Sequence, residues 1–337
     1  MAKRDKLTQK QKRQIQKTRQ RKTNKGSDSQ QLGQLGAQMK GLMVSRYGEQ
    51  ADVLCLDSSE TYRCFLRQNL GAPVPGDTLI FRLDPNNIGI IEAIEPRQSL
   101  LQRPSPHQGL KPVVANIDRV FVLVAPLPDF SAILLDRYLV ALENANIDIV
   151  IVCNKCDLHQ EIKQQSIKQQ LENYKILGYP LLEISSLSDL GKEQLINYSN
   201  NRQAILVGQS GVGKSSVINW LFPEQSIATQ IVSENSRLGQ HTTTASQLFC
   251  WSKEGPNNGF IIDSPGSREF GLWHLEADQI ADGYREFKPL IGGCKYRDCR
   301  HTKEPGCAII AAVKDGTISE ARWNNYKKIL SNNAPNL

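Results

Sequence analysis

Nine residues, Gly208-Gln-Ser-Gly-Val-Gly-Lys-Ser-Ser216, fit the pattern G-x-x-x-x-G-K-[ST] at every fixed position. The chemistry this spacing offers is phosphate binding. Glycines let successive backbone N–H groups curl around an anion, and a helix N-terminus behind them adds partial positive charge. Gly208, Gln209, Ser210, Gly211, Val212, Gly213 and Ser216 are therefore candidate nucleotide contacts. Lys214 is placed to reach the β- and γ-phosphates, and the Ser215 hydroxyl to meet Mg²⁺. An apolar run, Ala204-Ile-Leu-Val207, precedes the loop and a helical stretch, Ser216 to Phe222, follows. A plain Gly-rich surface turn is the bland alternative, and the strand and helix on either side argue against it.

A second cluster lies upstream. Asn154-Lys-Cys-Asp157 fits N-K-x-D directly after the apolar run Ile147-Asp-Ile-Val-Ile-Val-Cys153. The Asp157 carboxylate suits guanine, because it accepts from both N1–H and the exocyclic amine. Against adenine it would stand unpaired, and such sites discriminate by roughly 10⁴ or more. Alone, this tetrapeptide is as well read as a polar loop; in one α/β unit with a phosphate loop it specifies GTP/GDP. Asn154, Lys155, Cys156 and Asp157 are the candidate base contacts. Ser185 and Ser186 end a further strand-like run, Pro180-Leu-Leu-Glu-Ile-Ser-Ser186, and can close the base pocket through backbone N–H groups. A strand-end serine pair without that role fits equally well.

Downstream, His241-Thr-Thr-Thr244 and Asp263-Ser-Pro-Gly266 follow a polar region. A threonine hydroxyl suits Mg²⁺ and a γ-phosphate sensor; Thr242 is assigned to binding and Thr243 to the catalytic set, with a Thr-rich strand lead-in as the alternative. Asp263 would hold Mg²⁺ through water, and the Gly266 N–H would meet the γ-phosphate. Further on, Cys294-x4-Cys299-x-His301-x5-Cys307 supplies three thiols and one imidazole within fourteen residues. That is a complete tetrahedral set for one structural Zn²⁺, with no position open for catalysis. Reduced thiols without metal are the alternative. Cys55, Cys64, Cys153, Cys156 and Cys250 lie in or beside apolar strands and read as small buried hydrophobes.

The chain that must position these groups has 337 residues, enough for two or three cored domains. Residues 1–25 carry eleven Lys/Arg against one Asp, while the remainder is mildly acidic. Residues 1–36 therefore read as a disordered basic arm for a phosphate backbone, or as a solvated tail without a partner. No run of 18 apolar residues occurs, so no membrane span is expected. The N-terminus lacks an apolar secretory core, so the expected compartment is the cytoplasm. Residues 37–97 hold five short alternating runs separated by turn signals, expected as an OB-type β-barrel. Such a barrel offers a second nucleic-acid surface, or none. Residues 98–112 contain three prolines and are expected as a linker. An α/β pattern over 113–273 and a helical pattern over 274–337, holding the cysteine cluster, complete the chain.

The order of the nucleotide motifs is unusual. In ordinary GTPases the phosphate loop comes first and N-K-x-D late; here N-K-x-D and Ser185-Ser186 precede the phosphate loop, the threonines and D-x-x-G. Joining the old ends and cutting elsewhere builds the same sheet, since chain termini usually lie close together. In this motif order, with C-x4-C-x-H-x5-C behind it, the chain resembles the circularly permuted, small-ribosomal-subunit-dependent GTPase A family (RsgA, also called YjeQ). The resemblance spans nearly the whole chain. It implies Mg²⁺-dependent GTP hydrolysis stimulated by the small ribosomal subunit, a role in late maturation of that subunit, and contact of barrel and zinc module with its rRNA. A monomer without membrane attachment is expected. Ser267 follows D-x-x-G where many GTPases carry a water-orienting Gln and where the family has an apolar residue. His241 beside the threonines is then the candidate for positioning the water, and a structural role for it stays open.

Overall fold

The structure is a computed structural model that describes residues 35–67, 70–105, 109–158, 161–224, 247–252, 255–263 and 275–333. Five strands close a barrel: β1 (Met39–Tyr47), β2 (Gln50–Cys55), β3 (Thr61–Leu66), β4 (Thr78–Leu83) and β5 (Gly89–Ile94), in the order β1-β2-β3-β5-β4. The alternation read from sequence puts Met43, Val53, Cys64, Leu79, Phe81 and Ile91 inside. The parallel β3–β5 pairing is tight at Gly89, where a Cβ would sit 2.1 Å from the Cys64 sulfur. A side chain there would force the closure apart.

The stretch expected as a linker is more ordered than that. β6 (Leu100–Ser105) and β7 (Gly109–Ala115) pair as an antiparallel ribbon. Its prolines mislead because a two-stranded ribbon has two open edges, where a residue without an N–H is tolerated. Leu101 and Val114 are buried in the main core and anchor the ribbon there. The Asn116 amide donates to the Gly76 carbonyl at 2.8 Å, and Arg97 pairs with the fully buried Asp77 at 2.7 Å. Barrel and ribbon thus join through satisfied polar contacts.

The central sheet has six strands in the order β10-β9-β8-β11-β13-β12. They are β8 (Arg119–Val124), β9 (Asp148–Cys153), β10 (Leu181–Glu183), β11 (Arg202–Gly208), β12 (Gln247–Ser252) and β13 (Gly255–Asp263). All neighbours run parallel except β12 and β13. Helix α1 (Ala132–Asn144) follows β8, α2 (Glu161–Ile176) follows β9, α3 (Lys192–Ser199) follows β10 and α4 (Lys214–Leu221) follows β11. Near-continuous apolar strands are covered on both faces, one core lying on each side. The phosphate-loop strand β11 lies in the middle, between a strand made earlier and one made later.

The C-terminal unit contains α5 (Ala277–Asp282), a 3-10 turn at Lys288–Leu290, α6 (Ala308–Lys314) and α7 (Glu320–Asn333). It has its own core of Tyr284, Phe287, Ile309, Ile318, Tyr326 and Ile329. A buried charge network docks it on the central domain. Arg322 on α7 is 4% exposed and contacts Asp136 on α1; it also reaches Glu286 at 2.7 Å. Tyr174 and Asn325 donate to the two Asp136 oxygens at 2.6 and 2.7 Å. At the periphery Glu143 takes Arg285 at 2.5 Å and Lys288 at 2.8 Å, and against its burial these two cations hold its carboxyl below the usual range.

Candidate nucleotide site and metal centre

Three left-handed glycines shape the loop between β11 and α4: Gly208, Gly211 and Gly213, with φ of 148°, 85° and 98°. A Cβ on Gly208 would meet the Leu123 carbonyl at 2.4 Å, and one on Gly213 the Asn154 amide nitrogen at 2.5 Å. The loop is therefore pressed against β8 and against the upstream base motif. The Lys214 ammonium donates to the carbonyls of Gly208 and Gln209 at 2.7 and 3.0 Å, which keeps it over the loop. Ser210, Ser215 and Ser216 complete this turn and the start of α4.

The N-K-x-D residues leave β9 at its carboxyl end and meet the same loop. Asn154 is buried and its amide donates to the Val212 carbonyl at 2.9 Å. Its Oδ1 is also buried and finds no donor among the described residues. Lys155 adopts a left-handed φ of 62° and donates to Gly211 O at 2.6 Å and Leu127 O at 2.8 Å. These two side chains hold base motif and phosphate loop in fixed relation. Asp157 accepts from the Ser185 hydroxyl at 2.6 Å, so one carboxylate oxygen is oriented from the β10 side. The Ser185 N–H donates to the Leu190 carbonyl at 3.1 Å, and Ser186 is its half-buried neighbour. Cys156 is half-buried in this turn, less enclosed than a core thiol. The Leu127 turn escaped the motif reading. Its signal was Ala125-Pro-Leu-Pro-Asp129 at the carboxyl end of a buried strand, where α/β folds collect ligand contacts.

Asp263 ends β13, the strand next to β11. Burial raises its carboxyl above the usual range and the Lys214 cation opposes that rise. Asp263 lies in register with Leu206, two residues before the phosphate loop begins at Gly208. His241, Thr242, Thr243, Thr244, Gly266 and Ser267, and residues 1–34 of the basic arm, lie outside the described residues.

The four metal-ligand candidates come together: one donor atom from each of Cys294, Cys299, His301 and Cys307 lies within 4.8 Å of the others. Cys294 and Cys307 sulfurs are 3.8 Å apart, and His301 Nδ1 lies 3.5 and 3.4 Å from them. A tetrahedron with Zn–S of about 2.3 Å and Zn–N of about 2.0–2.1 Å has edges of roughly 3.8 and 3.6 Å. Burial pushes the Cys299 thiol up to about 12 and raises Cys307, so the cluster needs a cation to hold its thiolates. The donor set fits zinc. Trp323 and Tyr326 on α7 donate to the carbonyls of His301 (2.7 Å) and Arg300 (2.8 Å), clamping the left-handed His301 turn.

The family model described as "RsgA GTPase" matches residues 94–273. The chain is 44% identical over 342 residues to "Small ribosomal subunit biogenesis GTPase RsgA 1" of Vibrio vulnificus (strain YJ016), with 100% of this chain and 96% of the relative covered. It is 46% identical over 339 residues to "Small ribosomal subunit biogenesis GTPase RsgA" of Haemophilus influenzae (strain PittEE), covering 98% and 96%. The crystal structure of YjeQ from Thermotoga maritima superposes with a TM-score of 0.71 at 29% identity, covering 89% of this chain and 100% of that one. YloQ, described as a circularly permuted GTPase, superposes with a TM-score of 0.68 at 25% identity over 89% and 98%.

Proposed function

Because this chain belongs to the RsgA GTPase family, we propose that it binds assembling small ribosomal subunits and hydrolyses GTP when they stimulate it, late in their maturation. The observation that carries the nucleotide part is the double grip of Asn154 on Val212 and Lys155 on Gly211. It ties a guanine-reading motif to a phosphate loop, so that one nucleotide must satisfy both. The division 37–97, 113–273 and 274–337 supplies barrel, GTPase domain and zinc module.

In this reading Asp157, oriented by Ser185, reads the guanine N1–H and amine. Gly208 to Ser216 wrap the phosphates, and Lys214 neutralises charge on the transferred group. Ser215, Asp263 and Thr242 would hold Mg²⁺, which would supply charge neutralisation at the phosphates. Gly266 reports the γ-phosphate. His241, with Thr243, orients the attacking water. Zn²⁺ at Cys294, Cys299, His301 and Cys307 is structural.

The partner reading is supported by the names of the relatives and by the barrel surface. Tyr47 and Phe65 are exposed there, with the Arg63 guanidinium 5.1 Å from the Tyr47 ring centre. Aromatic faces beside cations suit unstacked RNA bases, and the basic arm adds phosphate contacts. No helix among the described residues is long and apolar enough to cross a membrane. A cytoplasmic monomer completes the proposal.

The test is GTP turnover with and without purified small subunits at fixed salt. Stimulation by orders of magnitude, absent with large subunits or free RNA, is expected. Unstimulated turnover would favour a nucleotide-sensing RNA scaffold.

A further inference from the structure

Two of the cysteines outside the zinc cluster bracket the guanine motif itself, as Cys153-Asn-Lys-Cys156. Cys153 ends β9 and is buried; Cys156 sits half-buried in the turn that follows. Both side chains pack in the same apolar cluster. The Cys156 thiol donates to the Cys153 carbonyl at 3.3 Å, which sets its sulfur against the end of β9. The outer sulfur is the more accessible of the two, with a second thiol three residues back at the end of the strand. That is the arrangement of an attacking and a resolving cysteine.

We propose that Cys153 and Cys156 are a disulfide switch driven by hydrogen peroxide that weakens guanine-nucleotide binding, a reading that rests on the guanine site argued above. The chemistry balances. The Cys156 thiolate attacks one peroxide oxygen; an S–O bond forms, the O–O bond breaks and water leaves after protonation. The Cys153 sulfur then attacks the sulfenyl sulfur; the S–S bond forms, the S–O bond breaks and a second water leaves. Two thiols are oxidised by two electrons and one peroxide is reduced to two waters. A dithiol reverses the step by exchange.

The consequence for binding follows from what lies between the sulfurs. A disulfide needs S–S of about 2.05 Å, shorter than any thiol hydrogen bond. Cys153 is fixed in β9 between two neighbouring strands, so the Cys156 turn must move. Its N–H bond to Ile184 O (3.2 Å) and the adjacent Asp157–Ser185 bond (2.6 Å) are then disturbed. Asn154 and Lys155, enclosed in the new ring, lose their set positions against Val212 and Gly211.

The experiment uses the full-length, zinc-loaded, nucleotide-free protein. It is treated with hydrogen peroxide at a dose that releases no zinc by a colorimetric chelator. Alkylation and peptide mapping then read the thiols, and a fluorescent GDP analogue reads affinity. A peptide that has lost two hydrogens across Cys153 and Cys156 is expected, with at least tenfold weaker GDP binding that dithiothreitol restores. Cys153→Ser should show no peroxide-dependent loss relative to its own reduced value; Cys153→Ala serves the same purpose should serine not fit the strand end. A protein that binds GDP but keeps both thiols alkylable overturns the proposal alone, as does a mapped disulfide with affinity within twofold. A reduced protein that binds no guanine nucleotide overturns the site reading beneath it.

Discussion

Arg322→Ala is the substitution on which the docking of the zinc module turns. The guanidinium is buried and shared between Asp136 and Glu286, with the Tyr284 and Tyr174 rings 4.5 and 5.0 Å from it. Truncation leaves two carboxylates facing each other without their cation. Breaking a buried pair from one side costs about 3–5 kcal/mol, since the stranded charge keeps its desolvation penalty. For a domain of about 150–250 residues that corresponds to a melting temperature lower by roughly 6–20 °C. Burial already raises Asp136 in the parent, with the Arg322 charge opposing, so the variant should raise it further. A carboxyl raised in the folded state favours folding when protonated. The stability deficit should therefore shrink as pH falls through the raised folded value. Thermal unfolding across pH 5–8 reads both effects. Adding Asp136→Asn to Arg322→Ala should recover part of the loss, a coupling of about 0.5–3 kcal/mol. A deficit below about 1 kcal/mol, or one indifferent to pH, would refute the assignment of docking energy to this network.

Three further outcomes follow from the site. Lys214→Ala should reduce GTP turnover by roughly 10²–10³-fold, the cost of losing one preorganised charge at the transferring group; steady-state phosphate release measures it, and near-parental turnover would undo the phosphate assignment. Asp157→Asn should weaken GTP by roughly a hundredfold or more and gain xanthosine triphosphate, because an amide accepts from N1–H and donates to a 2-oxo group; competition binding decides, and retained guanine preference would contradict the base assignment. Cys299→Ser should release zinc and loosen the module, since Cys299 belongs to both the ligand set and the module core; metal analysis with hydrogen exchange reads it, and a metal-free, fully protected parent would exclude zinc as its staple.

What was legible in the sequence was local. The phosphate loop, N-K-x-D and the cysteine cluster are spacings a few residues long, and period-two alternation announced the barrel strands. What escaped were contacts between distant positions. Arg322 reads as one charge on a basic helix, yet its partner Asp136 lies 186 residues away. Lys155 belongs to a motif read for its base contacts, and its bonds to Gly211 and Leu127 exist only once three strand ends converge. The bond from the Ser185 hydroxyl to Asp157 likewise exists only once β10 packs beside β9. The ribbon of β6 and β7, in the stretch expected as a linker, was hidden by prolines that its open edges accept.

The central position of β11 has a consequence for synthesis. β8 is complete at Val124, but the strand that covers its side ends at Gly208. At roughly 5–20 residues per second, translation of that interval takes about 4–17 s. Throughout it, the nascent domain presents an apolar parallel edge with its main-chain donors and acceptors unmatched, the kind of surface on which chains associate wrongly. The half that carries N-K-x-D emerges before the half that carries the phosphate loop. The cradle is therefore completed only when β11 slots beside β8, and a guanine nucleotide that bridges both halves would act as a template for that insertion.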